Sequence, residues 1–185
     1  MPVPKFRVGK RLYLRSLEEA DVARVTVWMN DVETTRYLLT GRFPLTHGEE
    51  STWLSTHSGK QSNVLLGICR NEDDQHIGNC GLHEINWVDR HCLLGIVIGD
   101  SRERGRGYAS EVVGMLLEYA FVDLNLERVE LSYMAGNDRA EKVYRKAGFF
   151  EEGRLRGKRY RDGKYIDEVV MSILRAEWQS PPRPI

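Results

Sequence analysis

The sequence has few features of a membrane protein, a disulfide-bonded protein or a polyanion-binding protein. Its three cysteines, Cys69, Cys80 and Cys92, are an odd number without C-x-x-C spacing, which favours reduced thiols. The longest apolar runs, 64–69 and 92–98, are far shorter than the roughly 20 residues that cross a bilayer, and the amino terminus lacks an apolar signal core. The 27 basic residues balance 27 acidic residues, which argues against binding nucleic acid or an anionic membrane through bulk charge. We therefore expect a soluble, cytoplasmic protein with neither as a partner.

The length and composition predict one domain. The chain has 185 residues, of which 41% are hydrophobic, and this is enough for one globular core. It contains no internal repeat or low-complexity block. We assign residues 1–179 to this domain and residues 180–185, which contain three prolines, to a flexible tail.

Apolar periodicity and turn residues predict an alternating α/β order. The pattern indicates a strand, two helices, three strands, a helix, a strand, a helix and two strands. The clearest segments are strands at 76–87, 91–98 and 128–134, helices at 107–123 and 138–147, and a final hairpin that turns at 162–163. This order predicts a mixed sheet with helices on its faces.

The most informative segment is the glycine loop, which we define as residues 102–109. Gly105 and Gly107 allow main-chain amides to approach a ligand closely, and the helix that begins near Gly107 leaves its first amides unpaired. Three arginines add positive charge: Arg102, Arg104 and Arg106. These features predict an anion site suited to a pyrophosphate.

Two other phosphate-binding motifs do not fit the glycine loop. A P-loop requires G-x-x-x-x-G-K-[ST], which is absent. A dinucleotide fingerprint requires a third glycine at position 110, where this chain has Ser110. The alternative without a ligand is a surface turn with three solvated arginines.

Two motifs read together resemble the GNAT N-acetyltransferase superfamily. Residues 102–109 are similar to its acyl-CoA pyrophosphate loop, and residues 137–149 match its N-x-x-A-x-x-x-Y-x-x-x-G-F segment. The 77–100 meander, the 124–126 turn and the 163–168 hairpin resemble the branch that contains the ribosomal-protein alanine and spermidine N-acetyltransferases. The resemblance covers most of the chain.

This resemblance implies a fold, a donor and a set of cofactor contacts. It implies a mixed, mostly antiparallel α/β sheet of about seven strands, splayed in the middle, with helices on both faces. It implies acetyl-CoA as cosubstrate and a possible homodimer. The acceptor that it implies is a primary amine, which could belong to a protein amino terminus, a polyamine, or an amino sugar or antibiotic. The implied cofactor-binding residues are Ile96, Val97, Ile98, Arg102, Arg104, Gly105, Arg106, Gly107, Tyr108, Ala109, Asn137 and Tyr144.

Direct transfer from a thioester to an amine requires a base for the ammonium and an acid for the leaving thiolate. Tyr144 occupies the position where the family commonly places a tyrosine beside the CoA sulfur, and we assign it as the acid. Glu84 lies in an apolar strand where partial burial would favour a base. His83, a water chain, or a purely structural Glu84–Arg90 pair are the alternatives; a regular strand directs His83 and Glu84 to opposite faces unless a bulge intervenes.

The sequence leaves the acceptor and one competing function open. No structural zinc spacing is present among the cysteines and histidines, so we expect no metal. Residues that could line the acceptor pocket are Arg36, Tyr37, Glu49, Glu50 and Trp53, each of which also suits ordinary surface or packing. The competing function is an acyl-CoA-binding sensor without catalysis.

Overall fold

The computed structural model describes residues 3–178, which form one eight-stranded sheet with helices on both faces. The strands are β1 Arg7–Val8, β2 Leu12–Ser16, β3 Val64–Arg70, β4 His76–Asn86, β5 His91–Ile98, β6 Arg128–Met134, β7 Phe150–Arg161 and β8 Lys164–Leu174. The helices are α1 Val22–Asn30, α2 Val32–Thr35, α3 His47–His57, α4 Tyr108–Glu118 and α5 Asp138–Lys146. The sheet order is β1-β2-β3-β4-β5-β6-β8-β7. Every neighbouring pair is antiparallel except β5 and β6.

The main core lies between the sheet and α4. This helix buries Val112, Val113, Leu116 and Leu117, because apolar residues at helical spacing share one face. The chain continues through a π-helical turn, 119–123. Leu82 and Leu94, fully or nearly buried, meet this face from β4 and β5.

The opposite sheet face carries α1 and α3, which contact each other. Asp21, immediately before α1, accepts two 2.7 Å hydrogen bonds from Arg15 on β2. At the other end of α1, the Trp28 ring covers Gly99, where an added Cβ would lie 2.1 Å from the indole. These two contacts fix α1 against the sheet.

The structure confirms most of the predicted element order. The sheet has eight strands because the short β1 adds to the predicted seven. The predicted helix at 107–123 is α4 followed by the π-helical turn. Asp162 and Gly163 turn the last hairpin with φ of 49° and 76°, the left-handed pair typical of a type I′ turn.

The predicted tail, residues 180–185, lies outside the described residues. Among residues 3–178, none of the helices is long and apolar enough to cross a bilayer.

Candidate active site

The two parallel central strands separate after a short paired segment. β5 and β6 pair only at His91 with Arg128, Cys92 with Val129 and Leu93 with Glu130. Beyond these positions the strands diverge, and we call the space between 94–98 and 131–134 the strand gap. The splay implied by the family resemblance is therefore present.

The β5 edge presents unpaired main-chain groups to the strand gap. The Gly99 amide donates to the Ile77 carbonyl on β4 at 2.9 Å. Since antiparallel pairing alternates along a strand, Ile96 and Ile98 direct their main chains away from β4 and toward the gap. The Ile98 carbonyl accepts a hydrogen bond from Arg104 at 3.0 Å, so the groups open to a ligand are the amide and carbonyl of Ile96 and the amide of Ile98. Val97, predicted with them, directs its main chain toward Asn79 on β4 instead. An extended ligand in the strand gap could therefore form main-chain hydrogen bonds with Ile96 and Ile98.

The glycine loop places main-chain amides at one end of the strand gap. Gly105 and Gly107 have φ of 76° and 77°, left-handed values that glycine adopts without strain. An added Cβ on Gly105 would meet nothing within 4 Å. The amides of the first turn of α4, which include those of Tyr108 and Ala109, have no carbonyl within the helix to which they could donate a hydrogen bond. This geometry suits a diphosphate.

Arg11, which no motif identified, fixes the orientation of the glycine loop. Its guanidinium donates to the carbonyls of Arg106 at 2.8 Å and of Gly107 at 3.2 Å. It also pairs with Glu111 on α4 at 2.9 Å and lies over the Tyr108 ring. Because the carbonyl and amide of a trans peptide point in opposite directions, the amides of Gly107 and Tyr108 face away from Arg11 and toward the ligand side.

The three arginines of the glycine loop have different environments. Arg102 pairs with Asp100 at 2.8 Å and is 77% exposed. Arg106 is half exposed and donates to the Arg102 carbonyl. Arg104 instead donates to the carbonyls of Ile98 and Gly99, each at 3.0 Å, and to Thr34 Oγ1 at 2.6 Å. The Arg104 side chain, predicted as a cofactor contact, therefore joins β5 to α2.

Tyr144 lies on α5 beneath the strand gap, on the α4 side of the sheet. It is 8% exposed, and its ring packs beside Tyr133 and Phe149 at centroid distances of 5.9 and 6.0 Å. Burial raises the pKa of Tyr144 to about 12, with a further contribution from Tyr133. The phenol therefore keeps its proton at neutral pH and can donate it. Among the described residues its hydroxyl has no hydrogen-bond partner.

Asn137 begins α5. Its Oδ1 accepts from the Ala140 amide at 3.3 Å, which is the ordinary role of asparagine at a helix start. Its amide NH2 has no hydrogen-bond partner in the described part of the chain, so this group keeps two donors for the predicted cofactor contact.

Glu84 does not have the partial burial on which its predicted role depended. A bulge interrupts the pairing of β4 with β5 between His83 and Asn86, and Glu84 has φ of 51° and an exposed side chain. The bulge turns the carboxylate to solvent, so the expectation of desolvation was wrong. The alternative ion pair with Arg90 is also absent among residues 3–178, since Arg90 pairs with Glu127.

His83 lies beside the strand gap on the α1 side of the sheet, against Gly95 of β5. A Cβ built on Gly95 would lie 3.0 Å from its Nε2, and one on Gly81 would lie 3.3 Å away. These glycines face each other in register on β5 and β4 and make room for the imidazole. Burial lowers the pKa of His83, His57 on α3 lowers it further, and Glu84 opposes the shift. Neither ring nitrogen has a hydrogen-bond partner among the described residues.

The predicted acceptor residues fall into two groups. Arg36 and Tyr37 follow α2, whereas the other three lie on α3. Glu49 closes a capping box with Thr46, and Trp53 stacks on His57 at 4.9 Å. Glu50 is buried, which raises its pKa.

The described residues contain no group of three or more histidine, cysteine, aspartate or glutamate side chains that could hold a metal ion. The three cysteines are free and buried.

Comparison with protein families identifies the fold and its chemistry. A family model described as "Acetyltransferase (GNAT) domain" matches residues 11–150. The spermidine N(1)-acetyltransferase of Vibrio cholerae is 33% identical over 173 residues, which cover 92% of this chain and 97% of that protein. A putative ribosomal N-acetyltransferase, YdaF of Bacillus subtilis, is 28% identical over 94% of this chain and 96% of its own length.

Comparison with solved structures also finds N-acetyltransferases. The crystal structure of the Vibrio cholerae spermidine N-acetyltransferase in complex with CoA and spermine superimposes with a TM-score of 0.85 at 26% identity. The match covers 91% of this chain and 98% of that one.

Proposed function

Because the chain belongs to the GNAT acetyltransferase family, we propose that it transfers the acetyl group of acetyl-CoA to a primary amine inside the strand gap. The observation that carries this proposal is the separation of β5 from β6 beyond Leu93 and Glu130. The separation leaves an open strand edge next to a glycine loop at one end and a buried phenol below.

The residues around the strand gap fit the donor. The amides of the glycine loop would hold the pyrophosphate, Arg102 and Arg106 would add charge at its exposed side, and Ile96 and Ile98 would pair with the pantetheine. Asn137 can contribute its free amide NH2. When bound, acetyl-CoA supplies a thioester whose carbonyl carbon accepts the amine and whose sulfur leaves.

Tyr144 and His83 are suited to the two proton transfers. Leu82 and Leu94 face the α4 core, so their neighbours His83 and Gly95 face the α1 side. Tyr144 belongs to the α4 core. We assign Tyr144 as donor of a proton to the leaving sulfur and His83 as acceptor of a proton from the incoming ammonium, since a neutral imidazole can accept one. Glu84 would act only through solvent.

The compartment and assembly are part of the same proposal. The three buried, free cysteines support a reducing compartment, and we place the protein in the cytoplasm. Relatives named for spermidine support a small-molecule amine as acceptor. A homodimer also stays a proposal.

The experiment that tests this function is a CoA-release assay with acetyl-CoA and a panel of primary amines, checked by the mass of each product. We expect release that depends on the amine, with a product heavier by one acetyl group. CoA binding without transfer to any amine would support the sensor function instead. Tyr144→Phe serves as the matched variant, because it removes only the phenolic oxygen.

A further inference from the structure

The sheet face toward α1 has an open floor beside His83. Gly81 on β4 and Gly95 on β5 lie opposite each other in register. Apart from its own chain neighbours, a Cβ added to Gly95 would meet only the His83 imidazole within 4 Å, so no atom of α1 or α3 lies that close to it. Gly95 is also partly accessible to solvent. The floor therefore leaves room for a ligand on the side of the sheet where the proposed base lies.

Asn79 lies on the same sheet face, at one end of this floor. The pairing of β4 with β5 is regular from Gly78 to His83, and successive residues of a regular strand alternate between the two faces. Asn79, Gly81 and His83 therefore form a row on the α1 side. Neighbouring members of such a row lie about 7 Å apart, so Asn79 is within reach of a small molecule that contacts His83.

His76 determines which end of the Asn79 amide is available to a ligand. Its Nε2 lies 2.8 Å from Asn79 Oδ1 and 3.0 Å from the Gly78 carbonyl oxygen. A carbonyl oxygen can only accept hydrogen bonds, so Nε2 carries a proton and donates it to these oxygens. The ring is buried and lies 3.2 Å from Asp21 Oδ1. The oxygen of the Asn79 amide is thus occupied, and its NH2 group is turned away from His76.

The Asn79 NH2 group is a hydrogen-bond donor that a ligand can reach. It has no hydrogen-bond partner among residues 3–178, and it does not belong to the unpartnered side-chain atoms that are fully buried there. The same is true of both ring nitrogens of His83. Two accessible polar groups therefore lie on one sheet face, with the glycine floor between them.

We propose that Asn79 determines acceptor specificity by donating a hydrogen bond to an uncharged oxygen of the acceptor while the acceptor amine lies at His83. The inference rests on the proposed acetyl transfer and specifies its substrate class, which is a primary amine with a carbonyl, hydroxyl or ether oxygen a few bonds from the nitrogen. Such an oxygen accepts from the NH2 group, whereas the second ammonium of a polyamine has only donors and would leave that group unpaired. The oxygen can belong to a small molecule or to the first peptide carbonyl after a free amino terminus.

The test compares acceptors that differ in the group opposite Asn79. The small series is butylamine, 2-methoxyethylamine, β-alaninamide, putrescine and spermidine, and the peptide arm is an alanine tripeptide amide with a free amino terminus. We expect kcat/KM, corrected for the fraction of unprotonated amine, to be about threefold to tenfold higher for the two oxygen-bearing small amines than for butylamine, which is the contribution of one hydrogen bond. A tripeptide value more than about tenfold above that of β-alaninamide would assign the oxygen to a peptide. An equal or lower value would assign it to a small molecule.

Asn79→Asp then locates the contact, because it keeps the oxygen that His76 binds and replaces the NH2 donors with an anion. The kcat/KM ratio of β-alaninamide to butylamine should fall toward one, the ratio of putrescine to butylamine should rise, and the KM for acetyl-CoA should stay constant. A purely structural effect would lower the rates with all acceptors alike. Asn79→Leu, which has neither donors nor charge, should lose the first ratio without raising the second. Asn125→Asp, the same charge change in the turn before β6, is the control.

The outcomes distinguish the inference from the function on which it rests. Equal kcat/KM for butylamine and the oxygen-bearing amines, a preference of the parent for putrescine or spermidine, or unchanged ratios in both Asn79 variants would overturn the inference and leave acetyl transfer intact. Binding of CoA without turnover of any amine would instead refute the proposed function.

Discussion

Arg11 reaches from the β1–β2 turn to the carbonyl of Gly107 at 3.2 Å and so directs the loop amides toward the strand gap. This contact joins residues 96 positions apart. The same guanidinium binds the Arg106 carbonyl and Glu111. Its loss would release the two loop carbonyls, while the main-chain amides of Arg11 and Leu12 would still hold Glu111.

We expect Arg11→Lys to weaken CoA binding about tenfold, because an ammonium lacks the planar donors that bind both carbonyls at once. The maximal rate at saturating acetyl-CoA should change little, since Arg11 is remote from the reacting atoms in this account. Calorimetry with CoA and steady-state kinetics measure the two effects. Lys10→Ala, which removes a neighbouring charge without touching the loop, should bind like the parent; equal affinity in Arg11→Lys would contradict the role given to Arg11.

Tyr144→Phe removes the proposed proton donor and keeps the ring packing with Tyr133 and Phe149. We expect kcat to fall by about 10²-fold or more, with CoA affinity and thermal stability nearly unchanged. Tyr133→Phe is the matched control, because within residues 3–178 that buried hydroxyl has no hydrogen-bond partner, and it has no role in the proposed reaction. A parental rate in Tyr144→Phe would remove the phenol from catalysis.

The lowered pKa of His83 predicts how kcat/KM changes at acid pH. Its pKa lies below the ordinary value of 6.5, so the imidazole stays neutral as the pH falls past 6.5 and becomes protonated only at lower pH. As the pH falls, we expect kcat/KM for the amine, corrected for ionisation of the acceptor, to stay constant past pH 6.5 and to decline only below it, where the imidazole becomes protonated. His57 and Glu84 are the titratable groups that act on it.

Three substitutions distinguish the role of His83 from that of Glu84. His83→Gln should lower kcat by about 10²-fold and abolish the decline in activity at acid pH. Glu84→Gln should keep the parental kcat and the same decline. Gly95→Ala places a Cβ 3.0 Å from His83 Nε2 and should reduce kcat by displacing the ring. The opposite ranking of His83→Gln and Glu84→Gln would return the base role to Glu84.

The pair of Asp21 with Arg15 predicts a pH-dependent stability. Burial alone would raise the pKa of Asp21, but the hydrogen bonds from Arg15 and the His76 ring 3.2 Å away hold it below the ordinary value of 3.8. The contribution to stability is therefore complete above that value and is lost as the pH falls through the lower folded value.

Asp21→Asn should cost about 3 kcal/mol of stability near neutral pH, since it leaves an arginine that is only 11% exposed without its carboxylate, and it should flatten the acid loss of stability. Urea denaturation at several pH values measures both effects. Asp74→Asn, at a surface pair with Lys5, is the control and should cost far less. If Asp21→Asn lost no more stability than Asp74→Asn, the role given to the Asp21–Arg15 pair would be contradicted.

The sequence predicted those parts of the molecule that depend on local patterns. The glycine loop, α5 with Tyr144 and the 162–163 turn follow from glycine positions and apolar spacing. The roles of Arg11 and Arg104 could not be predicted this way, because their partners lie 95 and 70 residues away. The burial expected for Glu84 was wrong, because strand alternation does not reveal the bulge at which its carboxylate is exposed.

The central claim is that a thioester occupies the strand gap with its diphosphate on the amides that follow residue 103. A crystal structure with CoA tests it most directly. The account predicts the diphosphate on the amides of Gly105 to Ala109, the pantetheine paired with Ile96 and Ile98, and the sulfur within hydrogen-bond distance of the Tyr144 hydroxyl. An ordered CoA bound elsewhere, or a gap that stays empty at saturating CoA, would contradict it.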